Sequence, residues 1–371
     1  MNRLKAFVIL ILAMILIAGC ISPELRTARI SINEKDWQRA LKALEGELQR
    51  DPNSAEAYYL HGFCHEQLGE WTKMAESYDK SIAISDEFKT KIKQNRQKLL
   101  ARYINRGISL LDSTEWAKKK MELEEYPDSL AEADRERHAL ALAAIDTAIL
   151  IDRGNPDIYV RGAFWAFDGK LHDRALEYSA WVLEHESGDE PKITVREIQM
   201  LVLREKGDYQ AAVKSAKELM DLIPFKTGED TLSYLRSLDI IIEAADSLQI
   251  DDLAMEVTQK ALDRLPDNMI LKKNLAVMFA RKGDFEQAKN IYYEVLKKDP
   301  NDYNANLDIG IILYNNHKWE DAIPYLHKFN QLQPDDERVI KMLMGCYFNT
   351  DQEDKGLEMQ KKLLNLEDRE K

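Results

Sequence analysis

The sequence is poor in cysteine, glycine and proline. Among 371 residues there are only three cysteines, 15 glycines and 10 prolines. So few turn-forming residues argue against a β-sandwich and against a disordered chain. Charged residues make up 32% of the chain, which suits many short amphipathic helices.

Motifs that carry chemistry are also scarce. We find no glycine-rich phosphate loop, no nucleophile motif and no histidine beside a candidate serine. Asp251-Asp252 and Asp335-Asp336 are paired carboxylates, but they stand at helix junctions, where acidic residues cap N-termini and offset the helix dipole. We therefore predict a protein that is not an enzyme and uses no cofactor.

One cluster has the residue types of a metal site. His61 and His65 would share a helix face beside Cys64, and imidazoles four residues apart can bind zinc. No third ligand is identifiable, and both positions are ones at which the repeats described below bury an apolar side chain. Buried core histidines are the simpler interpretation, so no metal site is predicted.

The N-terminus is unlike the rest of the chain. Arg3 and Lys5 precede an unbroken apolar run of 12 residues, 6–17, which is shorter than the roughly 20 that span a bilayer. This pattern predicts a secretory signal over residues 1–19. Ile17-Ala18-Gly19-Cys20 resembles the lipobox of bacterial lipoproteins. That resemblance implies that Cys20 is acylated, for example with palmitate, and becomes the mature N-terminus; an uncleaved signal anchor is the alternative.

The charge balance limits the partners. The formal net charge is −13, and removal of residues 1–19 would take away two basic residues and no acidic one. The net field of so acidic a protein opposes binding to nucleic acid or to anionic lipid. Contact with the membrane is therefore predicted only through acylated Cys20.

Two consecutive segments of equal length, 269–302 and 303–336, align without a gap. Each has a small residue beside an aliphatic one, an alanine midway and a proline near its end. The matched pairs are Leu275 and Ile309, Ala276 and Gly310, Phe279 and Leu313, Phe285 and Trp319, Ala288 and Ala322, Tyr292 and Leu326, Val295 and Phe329, and Pro300 and Pro334.

This pattern and its period of about 34 residues resemble tetratricopeptide (TPR) repeats. The resemblance extends over nearly everything after Pro23 and implies an all-α, right-handed superhelical solenoid of about nine or ten helix pairs. The predicted segments are a lipidated N-terminus and first helix (20–34), N-terminal repeats (35–224) with a charged insertion (113–138), a hinge or linker (225–234) and C-terminal repeats (235–371).

The insertion admits two interpretations. It is rich in charge, with Lys118-Lys119-Lys120 followed by several glutamates, and it also contains Trp116 and Tyr126. It is either a solvated extension of two helices or a contact for a specific partner.

The resemblance also implies a partner-binding groove, because the first helices of such repeats line the concave side of the superhelix. Positions 2, 5, 9 and 12 of each unit would point into it. In the C-terminal repeats these positions give an apolar surface with a basic rim, which either binds an amphipathic or extended segment or packs against neighbouring first helices. The predicted groove residues are Lys273, Val277, Leu307, Ile311, Tyr314, Arg338, Lys341 and Phe348.

Some TPR domains hold acidic C-terminal peptides with a clamp of lysine, asparagine and arginine. Lys273 matches the first clamp position, but Val277 and Asp308 stand where asparagines are required. The clamp function is therefore not expected.

The predicted function is a membrane-tethered scaffold that binds a protein or peptide partner in the bacterial cell envelope, with no small-molecule substrate. Ile21, rather than aspartate, follows Cys20, which by analogy favours the outer membrane, facing the periplasm or the exterior. A second hypothesis is a structural subunit of a secretion, pilus or outer-membrane assembly machine that uses its convex face and insertion. A third, which the sequence supports least, is a metal-dependent enzyme around His61 and His65.

Overall fold

The computed structural model of the protein describes residues 21–111 and 128–367. Within these ranges it contains eighteen α-helices, one short 3-10 helix at Asp86–Phe88 and no strand. The predicted all-α fold is confirmed for these residues. Cys20, the signal segment and Lys118-Lys119-Lys120 lie outside the described residues.

The chain divides into two compact units, Met1–Glu205 (unit 1) and Lys206–Lys371 (unit 2). The helices of unit 1 are α1 (Pro23–Asn33), α2 (Trp37–Arg50), α3 (Ala55–Leu68), α4 (Trp71–Ile84), α5 (Lys89–Leu111), α6 (Asp128–Ile151), α7 (Pro156–Asp168), α8 (His172–His185) and α9 (Asp189–Glu205). The helices of unit 2 are α10 (Tyr209–Leu222), α11 (Gly228–Ser247), α12 (Asp251–Arg264), α13 (Met269–Arg281), α14 (Phe285–Lys298), α15 (Tyr303–Asn315), α16 (Trp319–Leu332), α17 (Glu337–Asn349) and α18 (Glu353–Glu367).

Successive helices pack in pairs, and the second helix of a pair also packs against the first helix of the next pair. In unit 2 this pattern joins α13 to α14, α14 to α15, α15 to α16, and so on to α18. Each pair therefore contacts mainly its sequence neighbours, as in other helical repeat arrays. None of the described helices is both long and apolar enough to cross a bilayer.

Local sequence sets many of the helix starts. Asp284, Asp302 and Asp336 each precede a helix, and each accepts a hydrogen bond from a backbone N–H in its first turn. Such capping satisfies a donor that the helix itself leaves without a partner, and it stabilises the helix by about 1 kcal/mol. Asp302 and Asp336 are one repeat apart, so the same cap recurs at the start of α15 and α17, whereas Lys318, one repeat after Asp284, makes no side-chain cap.

Several of the described turns between the two helices of a pair have one residue in the left-handed region. In α13–α14 that residue is Gly283, with φ of 82°, and Gln249 and His317 take the same conformation one repeat before and one repeat after it. Left-handed backbone is costly for residues with a Cβ. Its return at the repeat spacing, even without glycine, indicates that the packing of the two helices imposes it.

A small residue on the first helix of a pair allows the second helix to approach it closely. An ideal Cβ at Gly62 in α3 would lie 2.5 Å from Cδ1 of Tyr78 in α4, and one at Gly310 in α15 would lie 2.5 Å from Cδ2 of Leu326 in α16. Tyr78 and Leu326 are fully buried. The large side chain of the second helix thus occupies the space that the first helix leaves empty.

The segment expected to be a hinge, 225–234, is mostly helical. Helix α11 begins at Gly228, and Thr227 and Asp230 form a reciprocal capping box there. The capping box extends the helix into a glycine-containing stretch whose composition indicated a loop. The division between the units falls earlier, after Glu205.

The turn between α7 and α8 contains a glycine that is not its left-handed residue. The left-handed residue there is Lys170, with φ of 55°, rather than Gly169. Gly169 is needed for a different reason, because a Cβ at this position would overlap the buried His138 of α6. His138 Nε2 lies 2.9 Å from Asp168 Oδ2, so this contact joins α6 to the end of α7.

We expect Gly62→Ala to lower the free energy of unfolding by about 1–2 kcal/mol, because overpacking against the rigid Tyr78 ring outweighs the better helix propensity of alanine. Urea unfolding followed by circular dichroism measures the change. Gly154→Ala is the matched control, since no atom lies within 4 Å of a Cβ there. Equal stability of Gly62→Ala and wild type would refute the close-approach explanation.

Candidate partner-binding groove

The predicted groove residues lie on the first helices of three successive pairs in unit 2, α13, α15 and α17. They form rows in which equivalent positions are one repeat apart. One row is Lys273, Leu307 and Lys341, and another is Ala280, Tyr314 and Phe348. We call the eight predicted residues the C-terminal groove.

The apolar members of the groove are partly buried. Val277, Leu307 and Tyr314 pack against the buried cluster of unit 2 while remaining partly exposed, and Ile311 is half-buried as well. The Tyr314 ring meets Trp319 edge-on at 4.9 Å. These side chains therefore contribute to packing, but part of their apolar surface still faces water.

Two apolar side chains at the borders of this surface are more exposed. Phe348, at the end of α17, is 42% exposed, and Ile270, in the first turn of α13, is 67% exposed. The Phe348 ring also covers Gly356 of α18, where a Cβ would lie 2.7 Å from the ring. A continuous series of partly exposed apolar residues is a common mark of a protein-binding surface.

Lys273 is held by a partner that the sequence did not indicate. Its Nζ lies 2.7 Å from Oδ2 of Asp302, and both side chains are largely buried. Asp302 also caps α15 by accepting the Ala305 N–H at 2.9 Å. Burial alone would raise the pKa of Asp302, but the Lys273 ammonium and the backbone N–H together lower it. The charge of Lys273 is thus used to join α13 to the start of α15.

The other two basic residues of the groove remain at the surface. Arg338 lies 3.3 Å from Asp336, and Lys341 lies 2.9 Å from Glu337, so each has an acidic neighbour at the start of α17. Exposed ion pairs of this kind stabilise a protein little and exchange readily with solvent. The side chains of Arg338 and Lys341 are therefore exposed to an acidic group on a partner.

The carboxylate of Asp308, which departs from the clamp sequence, has a hydrogen-bond partner in this region. The Tyr292 hydroxyl donates a hydrogen bond to Asp308 Oδ2 at 2.8 Å. Burial raises the pKa of the Asp308 carboxyl, and nearby Asp302 adds to this, although Tyr292, Lys273 and Arg338 oppose it. In the sequence, the sign of a buried carboxylate here is that Asp308 lies within the mostly apolar segment 305–313.

These contacts disfavour a clamp of lysine, asparagine and arginine side chains that would bind the C-terminal carboxylate of a peptide. Val277 provides no polar group, and Asp308 places a negative charge where the clamp has a neutral amide. Lys273 is already paired with Asp302. The groove is better suited to a segment with apolar side chains than to a free acidic terminus.

The histidines proposed as a possible metal site have other partners. His61 Nδ1 lies 2.9 Å from Ser77 Oγ, and His65 Nδ1 lies 2.6 Å from Glu70 Oε2. Burial lowers the pKa of His61 to about 4, and the adjacent His65 contributes to this. Within residues 21–111 and 128–367, no group of three or more His, Cys, Asp or Glu side chains is arranged to hold a metal ion.

The cysteines are not reactive groups in this structure. Cys64 and Cys346 are free and buried. Burial raises the pKa of each thiol to about 11, so both stay protonated at neutral pH. Since the thiolate is the reactive form, their role is to fill space in the two cores.

The largest clefts we describe lie away from the C-terminal groove. One of about 560 Å³ in unit 1 is lined by Tyr159 and Trp181, among others. Another of about 360 Å³ in unit 2 lies between α10, α11 and α12, around Tyr234 and Arg264. Neither of these two clefts is lined by a residue of the C-terminal groove.

Comparison with known proteins identifies the repeats. Residues 26–87 and residues 279–345 each match a family model described as tetratricopeptide repeat. One match lies in unit 1 and the other lies in unit 2, where it includes most of the C-terminal groove. The chain thus contains TPR repeats near both ends, as predicted.

Individual relatives match over short stretches. Aspartyl/asparaginyl beta-hydroxylase of Mus musculus is 38% identical over 68 residues, which is 18% of this chain and 9% of that protein. Pre-mRNA-splicing factor 6 of Saccharomyces cerevisiae is 25% identical over 113 residues, 30% of this chain and 12% of that protein. The chain therefore spans only about a tenth of the length of these curated relatives.

Two solved structures are similar in fold. A crystal structure of YrrB, described as a TPR protein with an unusual peptide-binding site, has a TM-score of 0.40 and 18% identity over 54% of this chain and 97% of its own. MamA AMB-1 has a TM-score of 0.39 and 17% identity over 48% of this chain and 93% of its own.

We expect Asp308→Asn to stabilise the protein at pH 7. The pKa of Asp308 is raised in the folded state, so protonation favours folding and the ionised form destabilises it. The gain should shrink as the pH falls toward the unfolded-state pKa of about 3.9, where wild type is also neutral. Urea unfolding at several pH values measures it, with exposed Asp351→Asn as control. A loss of stability at pH 7 would contradict the assigned cost of the buried charge.

Proposed function

We propose that this protein is a membrane-tethered scaffold of TPR repeats that binds a protein or peptide partner along the C-terminal groove. The observation that carries the proposal is the apolar surface of Leu307, Ile311 and Tyr314, which remains partly exposed between Ile270 and Phe348. Side chains that face only water have no reason to be aliphatic or aromatic at three successive groove positions. Burying this surface on a partner would contribute about 25 cal/mol for each Å² removed from water.

The chemistry of the groove selects the kind of segment that it binds. The apolar centre favours an amphipathic helix or an extended strand with aliphatic or aromatic side chains. Arg338 and Lys341, whose side chains are exposed at the start of α17, favour an acidic group at one end of that segment. The scaffold role requires no catalytic residue, so we propose that the protein is not an enzyme.

The membrane tether is Cys20, acylated after removal of residues 1–19. Support comes from the folded body that follows directly. Ser22 is the N-cap of α1, and its hydroxyl donates a hydrogen bond to the buried Glu47 of α2 at 2.5 Å. The folded body thus begins two residues after Cys20, which would hold the first repeats close to the bilayer. We propose the outer membrane as its location.

Tethering would make a weak groove contact effective. A lipid anchor confines the protein to a thin layer and so raises the local concentration of its binding surface. A partner with only micromolar affinity would then be retained if it also occupied the envelope. The proposal therefore combines two separate parts, an anchor at the N-terminus of unit 1 and a binding surface in unit 2.

Acidic substitutions should remove binding to the groove. We expect Leu307→Glu with Ile311→Glu to lose the main partner in crosslinking and affinity capture from solubilised membranes, because buried carboxylates lack a compensating charge. Ile270→Glu, at a position 67% exposed, should weaken capture without disturbing the core. Mass spectrometry of the captured proteins measures both effects.

The control is Ile250→Glu with Leu332→Glu, which adds the same charge at exposed apolar positions outside the groove. All variants must retain wild-type helicity by circular dichroism. An unchanged set of partners in the groove variants would assign these side chains to packing, and would favour the structural-subunit hypothesis with contacts elsewhere.

The tether is tested separately. We expect Cys20→Ser to abolish labelling with radioactive palmitate and to move the protein from the membrane fraction to the soluble fraction, because no thiol remains to be acylated. Cys64→Ser, at a buried position, is the matched control and should stay labelled and membrane-bound. Retention of Cys20→Ser in membranes would support an uncleaved signal anchor instead.

A further inference from the structure

Helix α5 has a charge opposite to that of the protein as a whole. It contains seven Lys and Arg residues and no Asp or Glu. The entire chain has 65 acidic and 52 basic residues. A 23-residue helix whose charged residues are all basic is therefore unusual in this protein. The question is which acidic groups neutralise these cations.

Four of these cations lie along one face of α5, which we call the basic stripe: Lys91, Lys98, Arg102 and Arg106. Their spacings of seven, four and four positions keep them within one side of the helix. All four are exposed, whereas Ile92, Leu100 and Gly107 are buried on a different face. With a rise of about 1.5 Å per residue, the stripe is about 22 Å long.

Acidic residues near α5 form ion pairs with two of its other cations. Lys89 lies 2.9 Å from Asp86, and Arg96 lies 2.7 Å from Asp79. Lys98, Arg102 and Arg106, in contrast, make no ion pair or hydrogen bond with any residue in the described ranges. Like charges four positions apart destabilise a helix by about 0.2–0.5 kcal/mol per pair. Within the described residues these three cations thus cost some stability and gain no ion pair in return, while Lys91 lies over the Phe88 ring at 5.7 Å.

The arrangement of neutral residues around the stripe indicates the shape of its partner. Gln94, Gln97 and Asn105 are exposed on α5 and have no charge, so the cations form a single line and not a broad basic surface. Ala101 and Ile108 are exposed on the flank of that line, and Ile108 is 38% exposed. A line of charge with an apolar edge is complementary to one face of an amphipathic helix.

We propose that the basic stripe of α5 is a second protein-binding surface, which receives an acidic amphipathic helix of a partner. Carboxylates four positions apart on such a helix advance by about 6 Å, the same step that separates Lys98, Arg102 and Arg106. A membrane would instead favour a wide basic surface, and the net charge of −13 repels long nucleic acids. This surface belongs to unit 1 and does not depend on the proposed groove in unit 2.

The test uses the full chain in detergent and a labelled synthetic helical peptide that is slightly longer than the stripe. The peptide has glutamate at every fourth position, with leucine and alanine beside the glutamates. Fluorescence anisotropy at about 20 mM salt should detect binding that weakens as salt is added. The triple variant Lys98→Glu, Arg102→Glu and Arg106→Glu should bind at least about 30-fold more weakly, since each reversal replaces an attraction by a repulsion. An isomeric peptide with scattered glutamates should also bind more weakly.

The control variant is Lys42→Glu, Lys214→Glu and Lys361→Glu, which changes the charge equally at exposed positions on three other helices. Its affinity should stay within about twofold of wild type after correction for salt. Equal affinity of the two triple variants, or of the two peptides, would overturn the proposal. So would binding of the Cys20→Ser chain, but not of its stripe triple variant, to vesicles of phosphatidylcholine and phosphatidylglycerol (7:3) without binding to the peptide, which would make the partner a membrane surface.

Discussion

The close approach of two helices within each pair is the constraint on which the rest of the structure depends. It requires a residue with almost no side chain on the first helix and a large one on the second, as at Gly62 with Tyr78 and at Gly310 with Leu326. Because interiors are packed at crystal-like density, this contact sets how the pair is oriented, and hence which face of the first helix remains for binding. The left-handed residue in the turn follows from the same geometry.

Some charged side chains make more than one structural contact. Asp302 caps α15 and also holds Lys273, so one carboxylate both starts a helix and joins it to α13. Asp308 lies nearby with a raised pKa and accepts only the Tyr292 hydroxyl among the hydrogen bonds described. Burial of this carboxylate therefore disfavours folding at neutral pH, and the hydrogen bond from Tyr292 offsets part of that cost.

The two proposed surfaces differ in chemistry and in place. The C-terminal groove in unit 2 is apolar with two exposed cations, whereas the stripe on α5 in unit 1 is basic with an apolar edge. A scaffold with two unlike surfaces can hold two partners at once, and a lipid anchor would keep both at the membrane. We propose that the function of this protein is to bring two partners together.

The sequence by itself determined the repeat length, the helical fold and the ends of most helices, because these depend on interactions within a few residues: caps, turn residues and apolar periodicity. It also predicted that Leu307, Ile311 and Tyr314 occupy groove positions of one repeat. Only the tertiary structure decided which of these side chains are packed and which polar groups are paired. Lys273 and Asp302 are 29 residues apart, and Gly169 is small because of His138. Such contacts join distant parts of the chain, so no local pattern contains them.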